Sequence, residues 1–343
     1  VSTARGAVQI VDAKSGRPVV MFQDPVTVGH VAFSPDERTI VSSGSPFTNW
    51  ISVRNIESGQ ETGRLDGGGH SLAFSPDGSL VVGVASTFDE EGELVTYSAD
   101  IALWSLATRE KVAVLGSGDR VWELAFTADG TALATADARG LIRLWDIASR
   151  QEIGALAGHA DSVTVVSFSP DGRLLASGDD EGGVRLWEAA TQTEIAGLAG
   201  HADSITSLAF SPDGETLASG SADRTAMLWD VASASARGSL TPAPGGAVLM
   251  VAFRPDGASL VTGSTWDRRD NPEGDAISVW DVASLQHIDS FGPPFFNVSK
   301  LAFSPDGKMI ASSGGVDGAE IALWEVATGR RLDILTDDGR KFY

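Results

Sequence analysis

Short runs of apolar or small residues alternate with turn residues along the whole chain. The runs are rich in Val, Ile and Thr, and Gly, Pro, Asp and Ser flank them. This pattern is typical of half-buried β-strands joined by tight turns. The sequence therefore predicts an all-β protein built from many short antiparallel strands.

The strands recur as a repeated unit. A Phe followed by a turn tetrad such as Ser-Pro-Asp-Gly occurs seven times, at successive gaps of 41, 52, 42, 42, 43 and 50 residues. In the fourth copy, Pro170 presets φ at the second position of a type I turn, and Asp171 and Gly172 suit the third and fourth positions. A repeat of this length dictates the whole architecture. The seven aromatic residues are Phe33, Phe74, Phe126, Phe168, Phe210, Phe253 and Phe303.

A second landmark ends the third run of each unit. It is Trp in six copies and Arg in the first, and it is followed by a small-residue turn and a fourth run. The sequence of each unit therefore predicts four antiparallel strands. The period and the Trp-Asp dipeptide resemble the WD-repeat family over essentially the whole chain. The resemblance implies a seven-bladed WD-repeat β-propeller of the regular, prokaryotic type. The landmark residues are Arg54, Trp104, Trp145, Trp187, Trp229, Trp280 and Trp324.

The resemblance also implies a hydrogen-bonded network inside individual blades. In the family, the network joins a His before the innermost strand, a Ser on the second strand, an Asp in the tight turn and the Trp. Blade five matches all four positions, and blade four matches three, with Glu181 at the Asp position. Because the set repeats in neighbouring blades and includes a Trp, we interpret it as blade stabilisation and not as a hydrolase triad. The matching residues are His201, Ser219, Asp223 and Trp229 in blade five, and His159, Ser177 and Trp187 in blade four.

The N-terminus carries a partial copy of the repeat. Residues 6–22 align with the third and fourth strands, and in the resembled family an N-terminal strand commonly completes the last blade. We therefore expect residues 6–22 to take part in closing the ring of a single domain, 1–343. Residues 330–335 also look like a fourth strand, so two candidates compete for one place. The alternative is eight blades, with an N-terminal half repeat in a chain cut from a longer one.

Composition narrows the possible functions. There are 46 acidic and 25 basic residues, a formal net charge of −21, and no Cys. A protein with so large a negative charge repels the phosphate backbone of nucleic acids, so we expect no nucleic-acid partner. No apolar run approaches the roughly 18 residues that span a bilayer, and no signal peptide is visible. These features predict a cytoplasmic protein without disulfides, metal or cofactor.

Insertions distinguish blades two and six from the rest. Extra residues gather between the second and third strands, at 86–100 and 264–278, and insertions on one face often mark a binding face. We expect partner contacts from aromatic and Arg side chains, the types enriched at binding hot spots. For blade two the alternative is a solvated β-hairpin extension. The candidate residues are Phe88, Tyr97, Trp266, Arg268 and Arg269.

The start of the innermost strand of blade three is also unusual. Trp122 stands where most blades carry a small residue, and Glu123 follows it. A large aromatic beside an acid near the opening predicts a pocket wall and a partner contact. The alternative is a Trp that fills a wedge between blades two and three.

These features together predict a non-catalytic scaffold or sensor module, monomeric as an isolated propeller. It would bind a protein or peptide on its top face as part of a larger protein. The alternative is an enzyme or small-ligand binder that uses the central channel. That alternative needs convergent charged residues, and the innermost strands supply only His30, Glu123 and Lys300, on three different blades.

Overall fold

The fold is all-β, and the predicted class, a propeller of seven four-stranded antiparallel blades, is confirmed. The computed structural model describes residues 7–11, 18–23, 28–44, 50–67, 69–88, 94–116, 118–242, 246–265, 275–292, 298–314 and 320–335. Within these ranges there are 30 strands and no helix, so none of the described residues forms a helical membrane span.

The first two strands, β1 (Ala7–Val11) and β2 (Pro18–Gln23), form a sheet of their own. Each blade is then a simple meander, in which consecutive strands are hydrogen-bonded neighbours. The first strands are β3 (Val28–Phe33), β7 (Gly69–Phe74), β11 (Val121–Phe126), β15 (Val163–Phe168), β19 (Ile205–Phe210), β23 (Val248–Phe253) and β27 (Val298–Phe303). The second strands are β4 (Thr39–Gly44), β8 (Leu80–Phe88), β12 (Ala132–Asp137), β16 (Leu174–Asp179), β20 (Thr216–Ser221), β24 (Ser259–Ser264) and β28 (Met309–Gly314).

The outer strands complete the seven sheets. The third strands are β5 (Trp50–Asn55), β9 (Leu94–Ser105), β13 (Leu141–Asp146), β17 (Val184–Glu188), β21 (Ala226–Asp230), β25 (Ile277–Asp281) and β29 (Glu320–Glu325). The fourth strands are β6 (Glu61–Asp66), β10 (Lys111–Gly116), β14 (Gln151–Ala157), β18 (Thr193–Leu198), β22 (Ser235–Leu240), β26 (His287–Phe291) and β30 (Arg331–Leu335). The place beside β29 is therefore taken by β30, from the C-terminal segment.

The chain divides into two compact units, with β1 to β14 in the first and β15 to β30 in the second. In each unit the core lies between successive blades. In the second unit, Leu186 and Leu198 of blade four pack with Ile205 and Leu217 of blade five. Fully burying one such side chain stabilises the fold by about 1.5–3 kcal/mol.

Small residues on the second strand allow the next blade to approach closely. A Cβ added at Gly178 would lie 2.5 Å from Ile205 Cγ2, and one added at Gly263 would lie 2.5 Å from Val298 Cγ1. Both distances are too short for real Cβ contacts, so any side chain there would push the blades apart. The run of small residues before each tight turn is thus explained by packing between blades.

The repeated tetrad forms the expected turn. In blade four the Gly172 N–H donates to the Ser169 carbonyl at 2.8 Å, and Gly172 has φ +71°. Blade one places Glu37 at the same position with φ +58°. A non-glycine residue in the left-handed region carries steric strain of about 1–2 kcal/mol.

We expect Glu37→Gly to stabilise the protein by up to about 1 kcal/mol, because the relieved strain exceeds the extra chain entropy of the unfolded state. Urea unfolding would measure the change. Glu57, exposed and outside the left-handed region, provides the matched control. Glu57→Gly should lower stability slightly, and the same sign for both variants would contradict the strain argument.

Candidate functional site

In blade five a four-membered network fixes the residues ahead of the innermost strand. His201 Nδ1 lies 2.8 Å from Asp223 Oδ2, and His201 Nε2 lies 2.7 Å from Ser219 Oγ. The Trp229 indole N–H donates to the same hydroxyl at 2.8 Å. The His201 side chain is fully buried, so these bonds satisfy both of its ring nitrogens.

Blade four uses a different carboxylate from the one expected. His159 Nδ1 lies 2.6 Å from Asp179 Oδ2, whereas Glu181, at the turn position, is exposed. Asp179 is the last residue of β16, two residues before Glu181. The equivalent residue in blade five is Ser221, the last residue of β20. The His159 ring still reaches Ser177 Oγ at 2.6 Å, and Trp187 donates to that hydroxyl at 2.7 Å.

The environment of the network is suited to stability and not to nucleophilic chemistry. Ser177 and Ser219 are completely buried, and each already binds a His and a Trp. A hydrolase nucleophile has to be reachable by substrate. Burial lowers the pKa of His159 and outweighs the opposing effect of Asp179.

At Asp223, burial raises the pKa, but hydrogen bonds more than offset it. The donors are the Thr225 hydroxyl, the Ala202 and Thr225 N–H groups and His201. Together they lower the pKa of Asp223 to about 2 from 3.8. A carboxylate that accepts several hydrogen bonds is stabilised in its charged form.

A β-bulge recurs at the start of the innermost strand. In blade three Val121 pairs with Asp137 and Glu123 pairs with Ala136, so Trp122 is the extra residue. The same shift occurs in blades one, four, five, six and seven, and blade two has a longer one between His70 and Ala73. Bulges re-aim side chains and are frequent at functional sites.

Most bulge residues with a described side chain help to join blades. The hydroxyl of Thr164 in blade four donates to the Ile205 carbonyl of blade five at 2.6 Å. Thr206 in blade five donates in the same way to the Val248 carbonyl of blade six. These are structural contacts, and they explain why a small hydroxyl residue suits the position.

Trp122 cannot make that bond, and its side chain is 37% exposed. The Arg120 guanidinium stacks on the indole with its central carbon 3.8 Å from the ring centroid. On the backbone side, the Ser71 hydroxyl of blade two donates to the Trp122 carbonyl at 3.4 Å. Arg120 thus contacts the indole and Ser71 ties the Trp122 backbone to blade two, while part of the indole surface faces solvent.

Further charged groups lie at the same end of blade three. Glu123 follows Trp122 and accepts a hydrogen bond from the Leu124 N–H at 3.3 Å. Asp119 and Arg139 form an ion pair between the segments before β11 and after β12, which lie at the same end of blade three. We call Ser71, Arg120, Trp122 and Glu123 the Trp122 site.

Sequence reasoning found two residues of this site and missed two. Trp122 could be predicted because a large aromatic stands where most blades carry a small residue. Arg120 and Ser71 carried no signal, because stacking depends on the bulge and Ser71 belongs to another blade. The role of Asp179 could have been predicted, because an acid at the end of the second strand stands out in the sequence. Blade three has a buried Asp137 at the equivalent position.

The other candidates are less well defined. In blade two the insertion extends the sheet as a hairpin, with Ser86 paired to Tyr97 and Phe88 paired to Leu94. This backbone matches the alternative of a hairpin extension; the side chains of Phe88 and Tyr97 lie outside the described residues. Trp266, Arg268 and Arg269 also lie outside them.

The described residues offer little for small-ligand chemistry. They contain no cluster of His, Asp or Glu with the geometry of a metal site. A cavity of about 340 Å³ lies in the second unit, beside β17 and β18, and is lined by Arg185, His201 and several glycines. Two of its polar side chains are used within the protein: Arg185 pairs with Glu194 at 2.6 Å, and His201 belongs to the blade-five network, whereas the third, Glu181, is exposed.

Comparison with known proteins agrees with this geometry. The model of the WD domain, G-beta repeat, matches residues 109–146, 150–188, 192–230 and 286–319, so the chain contains WD repeats. The first three matches begin near the fourth strand of one blade and run through the third strand of the next.

This chain is similar to parts of longer proteins and to solved structures. Human apoptotic protease-activating factor 1 is 30% identical over 176 residues, which is 42% of this chain and 14% of that protein. The periodic tryptophan protein 2 homolog of Schizosaccharomyces pombe is 32% identical over 96 residues, 28% of this chain and 10% of that protein. The chain thus spans a small part of both relatives. The crystal structure of the computationally designed Ika8 protein superposes with a TM-score of 0.73 at 25% identity, covering 92% of this chain and 87% of that one.

We expect Asp223→Ala and Asp179→Ala each to destabilise the protein by about 1–3 kcal/mol, because each leaves a buried His without its acceptor. Glu181→Ala, at the turn position equivalent to Asp223, is the matched control and should change stability little. Denaturant unfolding of the three variants would test this. Equal losses for Glu181→Ala and Asp179→Ala would contradict the assignment of Asp179.

The lowered pKa of Asp223 predicts a pH dependence. A carboxyl whose pKa is depressed on folding stabilises the fold above its unfolded pKa, and that contribution is lost as pH falls through the folded value. We therefore expect the stability gap between the wild type and Asp223→Asn to narrow between pH 5 and pH 2, by at most about 2 kcal/mol, because solvent screens part of the interaction. Urea titrations across that range would measure it, and a constant gap would contradict the prediction.

Proposed function

We propose that this chain is a non-catalytic protein-interaction module that binds a protein or peptide partner at the Trp122 site. Propellers of WD repeats generally act as protein-interaction scaffolds, which supports the class of function. One observation supports the location: a bulge position that joins blades elsewhere instead presents a partly exposed, stacked indole.

The chemistry of the site suits an extended peptide. Trp and Arg are the residue types most enriched at binding hot spots. The Arg120 stack limits the rotamers of Trp122, so little side-chain entropy is lost when a partner covers it. Glu123 and the Asp119–Arg139 ion pair, at the same end of blade three, supply the polar rim that such interfaces need.

The expected contribution of the two insertions forms part of the same proposal. The blade-two hairpin, between β8 and β9, leaves the end of the sheet at which β7 begins, and the Trp122 site lies at the corresponding end of blade three. A partner seated on Trp122 could therefore extend to Phe88 and Tyr97. For blade six, Trp266, Arg268 and Arg269 remain candidates on sequence grounds alone.

The proposal extends to the wider context of the chain. The matches to short parts of two long relatives support a role as one module of a larger protein. A cytoplasmic location and a monomeric state are consistent with the acidic composition. The alternative, a small-ligand binder, finds less support, because Arg185 and His201, which line the cavity beside β17 and β18, already bond within the protein.

Panning a displayed random-peptide library on the immobilised chain would supply ligands, and calorimetry would give their affinities. Trp122→Thr restores the residue of blades four and five. We expect it to weaken binding about thirtyfold, the equivalent of about 2 kcal/mol for one hot-spot aromatic, with no loss of thermal stability.

Phe33→Ala is the matched control, because Phe33 is 48% exposed and lies at the opposite end of an innermost strand. It should leave binding unchanged. Peptides that bind the wild type and Trp122→Thr equally would place the interaction elsewhere on the chain.

A further inference from the structure

The sheet formed by β1 and β2 corresponds to the outer half of a blade. Its sequence aligns with the third and fourth strands of blade seven, with Ile10 at the position of Leu323 and Phe22 at that of Leu335. Its register also matches, because Ile10 pairs with Val20 as Leu323 pairs with Asp333.

Its packing is that of a blade that precedes blade one. Ile10 and Phe22 are buried against Ile40 and Val31. In blade two, Leu103 and Leu115 occupy the equivalent positions and pack against Leu133 and Leu124 of blade three.

Two further contacts between the half-blade and blade one have equivalents between blades six and seven. The Arg54 guanidinium of blade one lies 4.5 Å from the centroid of the Phe22 ring, and Trp324 of blade seven lies 5.3 Å from Phe291 of blade six, centroid to centroid. A Cβ on Gly59 would meet Val20 and Phe22, just as a Cβ on Gly329 would meet Asp289 and Phe291. The hairpin is therefore docked as an outer half-blade and is not a loose extension.

In the part of the chain that the structure describes, one edge of this half-blade has no strand beside it, whereas every complete blade provides one. A third strand pairs with the second strand on one side and with the fourth on the other, as β29 does with β28 and β30. Among the described residues, β1 pairs only with β2. The N–H and C=O groups on its other edge are a template for another strand.

We propose that the open edge of β1 binds a two-stranded β-hairpin with the pattern of an inner half-blade. The seven complete blades show the chemistry of this partner. Its second strand, of small and aliphatic residues, would pair with β1, and a Pro-Asp-Gly turn would join it to a first strand that ends in Phe. Backbone hydrogen bonds would give affinity, and the small residues would allow blade one to approach.

A second copy of this chain fits the edge less well. Pairing β1 with β1 of another molecule would bring an outer half-blade to an edge that takes an inner half-blade in all seven complete blades. The inferred surface is also separate from the Trp122 site, so the two proposals can fail independently.

A synthetic peptide of residues 203–222 serves as the probe, because it carries β19, the turn and β20 from this chain's own blade five. Hydrogen exchange of the full chain would be followed with and without the peptide. We expect saturable binding that slows exchange of the amides in residues 7–11 by about tenfold or more. A scrambled peptide should have no effect.

Three variants complete the test. Deletion of residues 1–23 should abolish binding of the peptide, and Phe22→Ala should weaken it by loosening the half-blade while the seven blades remain folded. Trp122→Thr should bind the peptide normally, which separates this surface from the proposed partner site.

Three results would overturn the proposal. The first is unchanged exchange in residues 7–11 at saturating, millimolar peptide. The second is slower exchange in residues 7–11 as the protein concentration rises in the absence of peptide, which would identify a second copy as the occupant. The third is protection only within the complete blades, which would show that the peptide replaces an existing inner half.

Discussion

The structure depends on the close contact between the second strand of one blade and the first strand of the next. A four-stranded sheet of this size cannot bury enough apolar surface alone, so each blade is stable only with its apolar face covered by a neighbour. The contact of Gly178 with Ile205 shows how tight the fit is. Small residues on the second strand, aliphatic residues on the first and the repeat length all follow from it.

The same constraint explains why the N-terminal hairpin is ordered. Blade one has an apolar face that includes Val31 and Ile40, and this face has to be covered like the others. Strands β1 and β2 cover it with the outer half of a blade, and Phe22 takes the place that a Leu or Phe takes elsewhere. Arg54 replaces the usual Trp, yet its guanidinium stacks on Phe22 and pairs with Glu61, so it fills the same place.

The His networks show that geometry is preserved while sequence position changes. In blade five the carboxylate comes from the turn, and in blade four it comes from the strand end two residues earlier. Both carboxylates reach Nδ1 of a buried His whose Nε2 meets a Ser that also binds the Trp. A motif read by spacing alone therefore assigns the wrong acid in blade four.

At the Trp122 site, the bulge residue lacks the hydroxyl that joins neighbouring blades at the equivalent positions of blades four and five. Thr164 and Thr206 are committed to backbone carbonyls of the next blade, so their side chains cannot serve a partner. Trp122 has no hydroxyl for that bond, and the bulge directs its ring towards Arg120 and solvent. The difference at this position is therefore one of side-chain chemistry, since a hydroxyl that joins blades is replaced by a partly exposed indole.

The sequence by itself determined the repeat, the four strands of each blade and the turn geometry. These are local properties: Pro and Gly fix backbone angles, and alternation fixes which side chains are buried. It also predicted that residues 6–22 resemble the third and fourth strands of a blade, and it marked Trp122 as an exception. Only the tertiary structure decided that β30 completes blade seven, that β1 pairs with β2 alone among the described strands and that Asp179 binds His159. Those outcomes depend on which strands meet across long sequence distances and on where a bulge turns a side chain. Such contacts are set by packing between blades, which no local pattern encodes.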